Sequence, residues 1–186
     1  PLWSRGLGDV YKRQENIQLM ESMLLLAQKL NSENISELLD DNLASSFGLL
    51  EQDIIALNKV AKRELPIVIE VNRAADILQA LRLKKIFNLD MILMSAEEAP
   101  LVIQQIKDSG VPVIIDPMDN IPNSFDELAS DIKLGGILDK NGIKVMFSTQ
   151  RSHNYHLMRQ GAGNAVAHGM SSVSYTHLRA HETRED

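Results

Sequence analysis

The residues with chemical capacity are few and cluster after short apolar runs. Glu70 is the penultimate residue of the run PIVIEV (66–71), and Asp116 ends VPVIID (111–116) immediately before Pro117. Gln150, Arg151, His153 and Asn154 follow IKVMFS (143–148). A carboxylate after four apolar residues needs a partner when buried. Glu70 therefore has two readings: a metal or substrate contact, or a charge satisfied by nearby Arg73 or by solvent. Asp116 reads as a substrate-orienting carboxylate or as ordinary turn chemistry before a proline, with the turn favoured. Arg151 and His153 have the donors to hold an anionic or amide group, with Asn154 beside them. His153 and His156 are three residues apart, the spacing of one helical face. Two imidazoles alone do not complete a tetrahedral metal site. Glu97 and Glu98 open a helical stretch, where carboxylates suit the dipole, and are expected to be structural. His168 lies among Ala and Gly and is expected to be a packed or surface residue.

Composition removes several function classes. The 186 residues include no cysteine, which excludes a disulfide scaffold, a thiolate zinc site and a cysteine nucleophile. A formal net charge of −6 with no basic block argues against nucleic acid as a partner. No apolar run approaches the roughly 18 residues that a membrane-spanning helix needs. A soluble protein with a small-molecule substrate is the expectation, with cytoplasm and periplasm both open and an oligomer possible in principle.

The ends of the chain read differently from the middle. Residues 1–14 (PLWSRGLGDVYKRQ) and residues 172–186 (ending VSYTHLRAHETRED) hold the single Trp and two of the three Tyr. One codon choice for GDVYKRQ, read on the opposite strand in a shifted frame, encodes VSYTHL; SRGLG similarly yields LRAHE. One DNA segment inserted in both orientations accounts for both ends, as a transposase-type sequencing adapter does. Such segments are set aside from fold reasoning. They are expected to lack a core-facing period and to pack little, leaving residues 15–171 as one native domain of a longer protein.

Within that stretch, Ile17, Met20, Met23, Leu24, Ala27 and Leu30 share a helical face over 16–30. A shorter helix is expected over 35–47 and another over 51–63, with Ile54, Ile55, Leu57 and Val60 inward. From residue 66 the pattern becomes strand then helix, four times, with strands beginning near 66, 90, 112 and 143. The intervening helices span 73–87 and 98–110, the latter closed by Gly110. Residues 124–142 carry helical turns that Gly135 and Gly136 are expected to interrupt. GAGNAVAHGM forms a last helix whose glycines serve close packing. Near-continuously apolar strands alternating with helices predict an α/β fold with a parallel sheet covered on both faces. A doubly wound sheet and a (β/α)8 barrel share this local signature. No glycine-rich turn follows any strand, which lowers the dinucleotide-binding reading.

The segment PIVIEVNRAADILQALRLKKIFNLDMILMSAEEA resembles the part of amidohydrolases, especially imidazolonepropionase-like ones, that covers barrel strands five and six. VPVIIDP is similar to strand seven, and IKVMFSTQRSHNYHLMRQGAGNAVAHGMS to strand eight and its helix. The resemblance covers roughly residues 50–171. It implies an incomplete half of a TIM-type (β/α)8 metal-dependent hydrolase barrel, preceded by helices, whose missing N-terminal half carries strands one to four. It also implies a divalent metal of the zinc type and hydrolysis of a non-peptide C–N bond of the cyclic amide kind. The family's ligands are His-x-His on strand one, His on strands five and six, and an Asp on strand eight that also accepts the proton from metal-bound water. At the positions that match, this chain has Glu70, Ser95 and Gln150. An amide cannot take up that proton. These departures imply a second reading: a catalytically degenerate homologue that acts as a binding or partner subunit. An intact His-x-His in the missing half would favour the enzyme.

Overall fold

A computed structural model describes residues 2–29, 51–118, 121–122, 124–148 and 157–172. The elements run α1 (Leu2–Lys29), α2 (Glu51–Ala61), β1 (Ile67–Val71), α3 (Ala74–Phe87) and β2 (Met91–Ser95). A 3-10 turn (Ala99–Val102) leads into α4 (Ile103–Ser109) and β3 (Val113–Ile115). A second 3-10 turn (Phe125–Glu127) then precedes α5 (Leu134–Lys140), β4 (Val145–Phe147) and α6 (Met158–Ala167). The helix expected over 35–47 lies outside the described residues. None of the described helices is long and apolar enough to cross a membrane.

The chain divides into two compact units: residues 1–67 with 83–90, and residues 68–82 with 91–186. In the first unit, α1 buries Leu24, Leu26 and Ala27, and α2 buries Ile54 and Val60. Asn58 on α2 donates its side-chain amide to Ala27 O at 3.2 Å. The expected α1 stripe is present, since Ile17, Met20 and Met23 are half-buried above Leu24 and Ala27. Two details differ. Ile55 faces outward, because one helical face cannot carry both members of an adjacent pair. The helix also runs back to Leu2, through residues whose sequence carries no core-facing period. Leu, Arg, Lys and Gln in that stretch are adequate helix formers, and an existing helix extends at one hydrogen bond per residue.

In the second unit the strands lie in the order β1-β2-β3-β4. The register pairs Leu93 with Val113 and Val113 with Val145. All four strands run parallel. At the β1 end the hydrogen bonds climb together, from Ile67 N–H to Asp90 O at 2.8 Å up to Ala96 N–H to Val71 O at 2.8 Å. The strands begin at Ile67, Met91, Val113 and Val145, within about two residues of the positions read from sequence.

Each helix that feeds a strand is turned by a residue with positive φ: Arg63, Asn88, Gly110 and Gly142. After α2, Arg63 N–H bonds Val60 O and Glu64 N–H bonds Lys59 O, the paired bonds of a Schellman cap. Behind three of these caps sits a buried apolar residue, Leu89, Val111 or Ile143, which packs the exit into the core. Gly110 is the cap read from its position in the sequence.

Alternation along the strands separates two faces. Ile69, Met91, Leu93, Val113, Ile115 and Val145 are buried. Their neighbours Ile92, Met94, Ile114 and Met146 are half-buried, and Val68 is 47% exposed. The expectation of a sheet covered on both faces is therefore corrected. Connecting helices cover one face. In a closed barrel the other face is covered by strands across the interior, and here the sheet has four.

Two glycine expectations are also corrected. Gly135 and Gly136 do not interrupt a helix; they lie in the first turn of α5. A Cβ on Gly136 would come within 2.8 Å of His168 O and 2.9 Å of Gly169 C, so its absence lets α5 meet the end of α6 backbone to backbone. Gly161 behaves as expected, since a Cβ there would sit 2.7 Å from Pro117 Cγ. Gly163 does not, because open space surrounds its missing Cβ. Gly161→Ala is therefore expected to destabilise by about 1–3 kcal/mol through overpacking. Gly163→Ala is expected to stabilise by up to about 1 kcal/mol through helix propensity. Thermal unfolding of the two variants checks this, and equal shifts in one direction would contradict it.

Candidate functional site

Chemistry in a parallel (β/α) array belongs at the carboxyl ends of the strands, where the loops converge. Here the ends of β1 and β2 are tied together by main chain. Ala96 N–H bonds Val71 O, and Glu98 N–H bonds Asn72 O at 2.8 Å. The Glu98 carboxylate then accepts the N–H of Ala74, the first residue of α3, at 2.8 Å. Glu98 is structural, as expected, but it does not cap its own helix. It supplies the missing acceptor at the N-terminus of its neighbour, where an anion also meets the positive end of the dipole.

The strand end that forces this arrangement is strained. Ser95 has φ 71° and Ala96 has φ 53°, two successive non-glycine residues in the left-handed region. Such residues cost on the order of 1–3 kcal/mol each and persist when surroundings over-determine them. Ala96 is fully buried and its N–H is committed to β1. Ser95, which stands at the strand-six position of the resemblance, is thus the first residue of a tight reversal.

That reversal directs Glu97 into a small cleft. Glu97 is 8% exposed, a buried carboxylate that sequence reasoning had assigned to a helix-opening role. The cleft is also lined by Ile115, Asp116, Pro117, Asp131, Gly135 and Ala165. Two of its carboxylates serve their own loops. Asp116 Oδ1 accepts Met118 N–H at 2.9 Å, the turn chemistry expected of Asp before Pro. Asp131 Oδ1 accepts Lys133 N–H at 2.9 Å and helps to start α5. The signal for Glu97 was its place after a strand end, masked by the adjacent Glu98.

The other sequence candidates are dispersed. Glu70 is exposed at the end of β1, on the same face as Val68. Arg73, its suggested counter-ion, lies with its Nε 2.9 Å from Asp126 Oδ1 and its Nη2 3.4 Å from Phe125 O. The contact with Asp126 is a charge attraction between two partly exposed side chains, with the Nε itself shielded from water and off the hydrogen-bond direction. Gln150, Arg151, His153, Asn154 and His156 lie outside the described residues. His168 is exposed and its Nδ1 lies 2.8 Å from Asn164 O, consistent with a surface role. Among the described residues, no three His, Asp or Glu side chains converge as metal ligands do.

Replacing Glu98 by Ala leaves the Ala74 N–H without its acceptor. The expected cost is roughly 0.5–2 kcal/mol, read as a lower denaturant midpoint with an unchanged slope. Arg73→Ala, which removes only an exposed pair, should cost under about 1 kcal/mol. A larger loss at Arg73 than at Glu98 would reverse this assignment of what holds the rim together.

No protein-family model and no curated protein matches the chain. A solved structure does: an amidohydrolase from Thermotoga maritima MSB8, with a TM-score of 0.64 and 16% sequence identity. The match covers 79% of this chain and 40% of that one. At this identity the likeness shows the fold alone. It agrees with the four-stranded parallel sheet in identifying the chain as an incomplete half of a TIM-type barrel, of the architecture seen in that amidohydrolase.

Proposed function

We propose that the chain is the C-terminal half of an amidohydrolase-related barrel whose full-length parent hydrolyses a non-peptide C–N bond, of the cyclic amide type found among imidazolonepropionase-like enzymes. The observation that carries this reading is the likeness to the Thermotoga maritima amidohydrolase over 79% of this chain, together with chemically capable residues at the carboxyl ends of the strands. Family chemistry of this kind uses a divalent metal of the zinc type as a Lewis acid. The described residues do not fit that metal by themselves: β1 ends in one carboxylate, Glu70, β2 ends in Ser95, and no third ligand converges on them. In this reading the missing half holds most of the ligands, and no step is routed through them here.

What this half contributes is substrate contact. Asp116 has a second carboxylate oxygen beyond the one that fixes its turn. Arg151, His153 and Asn154 supply the donors for an anionic or amide group. Gln150 stands where the family base stands, and its amide can orient a group but cannot remove a proton.

The residues Ser95 and Gln150 and the dispersed carboxylates favour a second reading, in which the parent is a degenerate homologue that binds without turning over. One experiment separates the two. The full-length parent, assayed for metal content and for hydrolysis of a panel of cyclic amides, should be metal-loaded and active on the first reading. There, Gln150→Asp should raise turnover by roughly 10²–10⁴-fold, the usual worth of a placed general base. A metal-free, inactive parent that Gln150→Asp does not rescue establishes the binding reading. Residues 15–171 alone should show no metal-stimulated hydrolysis on either, because four strands do not close the barrel.

A further inference from the structure

We draw no further inference here: the strongest candidate, the small cleft at the carboxyl ends of β2 and β3 that Glu97 lines with Asp116 and Asp131, carries nothing because it is a cluster of acidic side chains, two of them bonded to their own loops, with no second feature among the described residues that points to a ligand.

Discussion

The structure depends on one constraint: four parallel strands in the sequential order β1-β2-β3-β4, joined by right-handed crossovers, carry their connecting helices on one face. Every crossover packs its helix on the side of Ile69, Leu93, Val113 and Val145, so the row Met94, Ile114 and Met146 is left on the other. Burial of the first face, at roughly 25 cal/mol per Å² of apolar surface removed from water, drives the fold of the second unit. The second face contributes only what further cover supplies. The same geometry puts all four strand ends, and so the loops that bear Glu70, Glu97 and Asp116, on one rim.

That rim is held by main chain more than by charge. The bonds from Ala96 to Val71 and from Glu98 to Asn72 lock the first two loops, and the Glu98 carboxylate caps α3 across them. The left-handed pair Ser95 and Ala96 is tolerated because these bonds leave the chain no alternative path. A strained strand end beside a buried carboxylate is where barrel enzymes place chemistry. Here, two of the three carboxylates lining the cleft spend an oxygen on holding their own loops.

Much of the fold was legible in the sequence. Runs such as IVIEV, MILMS and VPVII are β-branched or apolar and bounded by Pro66, Asp90 and Gly110, so period and punctuation agree. What failed was what needs a third dimension. Ile55 fits an apolar count but not a single helical face. Gly135 and Gly136 read as breakers, yet they are the point where α5 meets α6 at backbone distance. The role of Glu98 lay 24 residues away at Ala74, beyond any local rule. Of the site, Asp116 was read for its turn, whereas Glu97 was missed because burial is not visible in a pair of adjacent acids. Gln150 owes its assignment to the resemblance, whereas Arg151, His153 and Asn154 owe theirs to their donors and their place after the last apolar run.

The central claim, that this sheet has one covered and one open face, can be tested directly because the chain has no cysteine of its own. Single cysteines at Leu93 and at Met94 sit next to each other on β2 and face opposite ways. Thiol labelling at high dilution should be slow at Leu93→Cys, close to the global unfolding rate, and fast at Met94→Cys. Equal protection at both positions would show a sheet covered on both faces, and equal labelling would show that the parallel sheet has no packed face at all; either result contradicts this account.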